Sequence, residues 1–162
     1  DRSVSRGLGD VYKRQVKECM CDESFCVKPE TSICEVAKMM ANNHIGSVAV
    51  CDNNNCLCGI VTDRDIILRS IACDKDVHQT PVSSIMTTNV FTCKKDDDVK
   101  DAERTMTQNQ VRRLPVCDEN RNVIGFLSIG DLAQNDQLLG KQNVCETISD
   151  ICDCNVQAKN AE

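Results

Sequence analysis

Gly59-Ile60-Val61-Thr62-Asp63-Arg64-Asp65 is answered 66 residues later by Gly125-Phe126-Leu127-Ser128-Ile129-Gly130-Asp131. Each stretch runs from glycine through two apolar residues to a hydroxyl, with an aspartate three positions further on. Outward from it, the same offset of 66 joins Met20 to Met86 and Met40 to Met106, without a gap between residues 20 and 66. Eleven of the 47 aligned positions are identical, and most others keep their apolar or polar character, so the chain carries a duplication. A unit this short buries its apolar face poorly alone; two copies are expected to close on each other and leave two related clefts.

Within the first copy a short strand is expected over Phe25 to Lys28. Ile33, Val36, Ala37 and Met40 then form one helical stripe, opened by Ser32 and Glu35 at capping-box spacing and ended at Asn42-Asn43. Ile45 to Val50 and Leu57 to Val61 flank the turn Asp52-Asn53-Asn54-Asn55, a hairpin signal. A second helix is expected from Thr62 to about Ala72, carrying Ile66, Ile67 and Ile71. The order β-α-β-β-α repeats in the second copy: Phe91 to Cys93, Asp98 to Gln108, Val111 to Val116, Val123 to Leu127, and Ile129 to about Leu138. The fold class is α+β, two such repeats packed as a pseudo-symmetric pair. The expected divisions are a leader outside the fold at 1–15, repeats at 16–73 and 82–138, a linker at 74–81, and a C-terminal helix and tail at 139–162. Val144, Ile148 and Ile151 mark that last helix, with Asn143 and Glu146 at cap spacing and a disordered end from 155 to 162.

Composition narrows the function. The net charge of −6 argues against general attraction to nucleic acid or anionic membranes, and 2% aromatics leave no stacking platform for single strands. No apolar run is long enough to span a bilayer, and a cytoplasmic protein is expected. Thirteen cysteines, many in apolar runs, read as small buried hydrophobes in a reduced compartment. The Cys-x-Cys pairs Cys19/Cys21, Cys56/Cys58 and Cys152/Cys154 are too close-spaced for the usual structural zinc site. Neither His44 nor His78 has a nucleophile motif around it, and no Walker loop, zinc-protease or dinucleotide fingerprint is present, so no enzyme is expected.

Thr62 with Asp65 and Ser128 with Asp131 admit two readings. A hydroxyl followed three residues later by an acid is a variant of the capping box, a common helix start. The same geometry also suits a ribonucleotide: free N–H groups and a hydroxyl for phosphate, a carboxylate for both ribose hydroxyls, and glycine for close ligand approach.

The repeat order, the hairpin running into Gly-Ile-Val-Thr-Asp-Arg-Asp, the strand Asn-His-Ile-Gly-Ser-Val-Ala-Val and the later Arg-Arg-Leu-Pro-Val resemble the cystathionine-β-synthase (CBS) domain over about residues 16 to 137. The resemblance implies a tandem pair, or Bateman module. Such a pair is a regulatory sensor without a required cofactor, binding AMP, ADP, ATP or S-adenosylmethionine and passing occupancy to a partner protein. It also implies a homodimer. Carried across by position, Thr62 and Ser128 would meet phosphate, and Asp65 and Asp131 ribose. The adenine slots would lie at Cys21 to Cys26 with Ile45 and Gly46 to Val48, and at Thr87 to Phe91 with Arg113 to Pro115. Arg64, Arg112 and Arg113 are the candidate phosphate cations. Ala49 in place of Pro115, and Gly130 in place of Arg64, make the two sites unequal, with the Thr62/Asp65 site ranked first. The alternatives are a cysteine-based metal or redox sensor and a ligand-free interaction module on the same scaffold.

Overall fold

The computed structural model describes residues 14–135 and 141–152, with side chains in the last segment from residue 145. Most of the expected leader and all of the expected tail lie outside the described residues.

The first repeat holds β1 (Cys26–Val27), α1 (Ile33–Asn43), β2 (Ser47–Cys51), β3 (Leu57–Thr62) and α2 (Asp63–Arg69). The second holds β4 (Cys93–Lys94), α3 (Val99–Asn109), β5 (Arg113–Cys117), β6 (Val123–Ser128) and α4 (Ile129–Gln134), followed by α5 (Lys141–Cys152). Each repeat makes a three-stranded sheet, β1-β2-β3 or β4-β5-β6, with the short strand parallel and the hairpin antiparallel. The fold is α+β, as the pattern implied.

Local chemistry explains the repetition. Ser32 Oγ accepts from the Glu35 N–H at 3.2 Å and the Glu35 carboxylate accepts from the Ser32 N–H, so α1 starts where its capping box stands. α1 ends on His44 and α3 on Gln110, both left-handed at φ 54° and 52°. His44 is thus a helix cap. In each hairpin an aspartate, Asp52 or Asp118, accepts two backbone N–H bonds across the turn, and Asn55 or Arg121 takes φ 64°.

Three expectations shift. α2 stops at Arg69, because the Ser70 hydroxyl turns back onto the Ile66 carbonyl and a 3-10 turn (Ile71–Cys73) follows, leaving Ile67 and Ile71 exposed. The Phe91 strand begins only at Cys93. Asn143 lies inside α5, which begins at Lys141, and not at its cap.

The two cores exchange segments. Val16, with no exposed surface, sits in the second repeat's core beside Val99, Met106 and Leu132. Val82, its counterpart 66 residues on, is equally buried in the first repeat's core beside Ile33, Val36 and Val48. Burying a valine fully is worth ~1.5–3 kcal/mol, so each repeat holds the other's leading segment firmly. Backbone bonds repeat the crossing: the Val16 N–H donates to the Asp97 carbonyl at 2.9 Å, and the Val82 N–H to Thr31 at 2.8 Å. Even Gln15, expected outside the fold, bridges to Asp98, through backbone pairing that side-chain periodicity does not reveal. A third cluster, with Ala49, Cys51, Cys117 and Phe126, fills the seam between the sheets. α5 covers α3 and α4 and buries Ile151, while Ile67, Leu68 and Ile71 on the first repeat stay open. Among the described residues no helix is long and apolar enough to cross a membrane.

Candidate functional site

The exchange decides where the clefts lie. Past its 3-10 turn, each leading segment pairs with the last strand of the opposite repeat. The Cys21 and Phe126 N–H groups each donate to the other's carbonyl at 2.9 Å; Ile60 and Thr87 do the same at 2.9 and 2.8 Å. Gly59 and Gly125 are required here for protein, not ligand. A Cβ on Gly59 would lie 2.8 Å from the Met86 sulfur and from the Thr87 carbonyl oxygen, and one on Gly125 would run into Met20 and the Cys21 carbonyl. The expectation that these glycines admit a ligand is therefore corrected.

Beside each crossing is a hollow. The first, about 200 Å³, is lined by Cys21, Glu23 and Phe25, by Ile45, Ser47 and Arg113, and by Phe126, Ser128 and Asp131. The second, about 290 Å³, includes Thr87, Asn89, Phe91, Val111, Arg113 and Ile60, each 66 residues from a residue of the first hollow, together with Val90 and Pro115. Both hollows are composite. In the first, Phe25 and Ile45 of the first repeat share a hollow with Ser128 and Asp131 of the second.

Of the ten residues singled out in the sequence, the first hollow brings together Ile45, Arg113, Ser128 and Asp131, and the second holds Arg113 and Pro115. Thr62, Asp65, Arg64, Gly46 and Arg112 line neither. Arg64 and Arg112 are exposed, the Gly46 carbonyl accepts from the Asp63 N–H at 3.1 Å, and the Arg112 carbonyl accepts from the Ile129 N–H at 3.0 Å.

Both hydroxyl–aspartate motifs close capping boxes, so the plain structural reading is realised in each. They differ in what remains. Asp131 Oδ2 accepts from the Ser128 N–H at 2.8 Å and from the Ser128 hydroxyl at 2.9 Å, leaving Oδ1 outside these bonds. Asp65 Oδ2 accepts from the Thr62 N–H at 3.0 Å, and its Oδ1 faces Arg69 Nε at 3.7 Å. Arg69, which the sequence reading passed over, also donates to the Ile85 and Met86 carbonyls and to the Thr87 hydroxyl, at 3.1 to 3.4 Å. Its spacing of four from Asp65 on one helix was the available signal. Phe126 and Ile60, two residues before the hydroxyls, were also missed; their strand alternation puts them on the hydroxyl's face.

Two of the buried cysteines are held in the thiol form. Burial pushes the Cys93 thiol up to about 12, and burial together with the neighbouring Cys26 thiol does the same for Cys51, so both stay protonated. Among the described residues no group of three or more His, Cys, Asp or Glu side chains is arranged to hold a metal ion.

A model of the CBS domain matches residues 16–71 and 82–137. The CBS domain-containing protein YhcV of Bacillus subtilis is 39% identical over 120 residues, covering 74% of this chain and 84% of that one. The conserved CBS domain protein TA0289 of Thermoplasma acidophilum superposes with a TM-score of 0.73 at 26% identity, over 85% of this chain and 75% of that one. The CBS domain pair of protein MJ0100, solved in complex with 5'-methylthioadenosine and S-adenosyl-L-methionine, superposes with a TM-score of 0.68 at 26% identity, over 80% and 98%.

Proposed function

This chain belongs to the CBS domain family, and on that premise we propose that it is a regulatory sensor of adenosine nucleotides (AMP, ADP or ATP) or of S-adenosylmethionine. The observation that carries the reading is the chemistry the first hollow brings together: apolar Phe25 and Ile45, the carboxylate of Asp131 and the guanidinium of Arg113. A nucleotide asks for the same three: apolar walls for its base, a carboxylate for its ribose and a cation for its phosphate. Asp131 Oδ1 accepts from the ribose hydroxyls, and Arg113 pairs with phosphate oxygens through its planar fork. The adenosine-type ligands bound by the MJ0100 pair support the same class.

Site preference follows the free oxygen. The Ser128/Asp131 hollow is the principal nucleoside site, the reverse of the sequence ranking, because Asp65 already faces Arg69. Since the hollow's walls come from both repeats, a ligand there favours one relative setting of the halves, and a partner protein reads that setting. The module itself carries no catalysis in this reading. Homodimerisation belongs to it as well, with the exposed Ile67, Leu68 and Ile71 as apolar surface for a second chain to cover. So does a cytoplasmic setting, consistent with the free thiols of the described cysteines.

Thermal unfolding with AMP, ATP and S-adenosylmethionine tests the proposal. A ligand at 100 times its dissociation constant should stabilise the fold by about 2.7 kcal/mol. No shift with any of the three at millimolar concentration would leave the ligand-free interaction module as the better reading.

A further inference from the structure

Arg113 lines both hollows, and its Nη1 donates to the hydroxyl of Ser47, the residue 66 positions before it. A residue and its own repeat counterpart touch only beside the axis relating the repeats, so this half-buried guanidinium stands on the pseudo-dyad. The duplication thus supplied two hollows, but the divergence of one position supplied a single cation between them.

Among the described lining residues neither hollow has a substitute. In the second, Arg113 is the one charged side chain among the described lining residues. In the first its company is acidic, Glu23 and Asp131. Arg69 is committed to two carbonyls and the Thr87 hydroxyl, while Arg64 and Arg112 are exposed and line neither hollow.

Resting on the adenosine-nucleotide reading above, we propose that Arg113 is one phosphate clamp shared by both hollows. The module then takes one phosphorylated ligand per chain tightly and a second only weakly. Once a first phosphate holds the guanidinium, a second meets a fixed anion across the dyad with no other cation among the described lining residues, in a chain of net charge −6. A ligand without phosphate escapes this coupling.

Isothermal titration calorimetry of the full chain with AMP and with adenosine, for wild type and Arg113→Gln, tests the clamp. In wild type the first AMP should bind at least ~10-fold tighter than the second, a gap adenosine does not show. In Arg113→Gln the tight AMP affinity should fall by ~10-fold or more, to that of adenosine. Two equal and independent AMP sites in wild type overturn the shared clamp and leave the adenosine reading standing. So does an unchanged AMP affinity in a folded Arg113→Gln. Absence of binding by both compounds overturns the adenosine reading and the clamp with it. The wild-type titrations decide the matter even if the variant does not fold.

Discussion

The two repeats agree in backbone and disagree in charge. His44 and Gln110 cap equivalent helices at φ 54° and 52°, and Asn55 and Arg121 turn equivalent hairpins at φ 64°. At the cleft the same comparison breaks down: Ser47 stands opposite Arg113, Glu23 opposite Asn89, and Arg69 opposite Asn135, which binds the Asp131 carbonyl at 2.8 Å. The helical faces differ as well, since α5 covers the second repeat and leaves the first bare. Backbone geometry needs only a pattern of residue types, so duplication preserves it. Ligand preference needs particular charges at a few half-exposed positions, and there the copies were free to part.

The largest effect should come from the crossing points that both repeats share. Gly125→Ala drives a methyl into Met20 and the Cys21 carbonyl, and should cost ~3 kcal/mol or more in urea unfolding. Gly59→Ala meets the flexible Met86 side chain as well as the Thr87 carbonyl, both at 2.8 Å, and should cost ~1–3 kcal/mol. Equal and negligible costs would mean that the segments do not cross as described.

The next comparison separates the aspartates. Asp131→Ala should weaken AMP binding by about 10- to 100-fold, the loss of charge-assisted bonds to a ribose worth ~1.5–3 kcal/mol. Asp65→Ala, whose partner is Arg69, should change the tight site less than about threefold. Calorimetry on both variants, with melting temperatures to verify the fold, would sharpen the contrast; the opposite ranking would restore the order read from the sequence.

The smallest effect concerns Glu103, which stands where the first repeat has Ala37. Its Oε1 is buried without a hydrogen-bond partner among the described residues. Burial raises its pKa above 4.5, with nearby Lys100 opposing the rise and Asp98 adding to it. The folded state therefore holds this proton more tightly than the unfolded one. Its contribution is fully present below the unfolded pKa and is lost as pH climbs through the folded value. Unfolding followed from pH 4 upward should show that decline, and Glu103→Gln should flatten it; identical pH profiles would contradict the assignment.

Much of this was legible in the sequence. The offset of 66 gave the pairing of repeats, and Ser32/Glu35, Thr62/Asp65 and Ser128/Asp131 gave helix starts where the caps stand. The crossing of Val16 and Val82 was not legible, because an apolar residue announces burial and not which core receives it. The composite hollows follow from that crossing, which brings Cys21, Phe25 and Ile45 to one hollow with Ser128 and Asp131. Arg69 escaped notice for a related reason: its role depends on Ile85, Met86 and Thr87, which reach it only through the exchanged segment.

A crystal structure of the chain soaked with AMP tests the central claim most directly. The account expects adenine between Phe25 and Ile45, ribose on Asp131 and phosphate on Arg113. A nucleotide whose ribose rests on Asp65 with its base against Phe25, or empty hollows at saturating AMP, would contradict it.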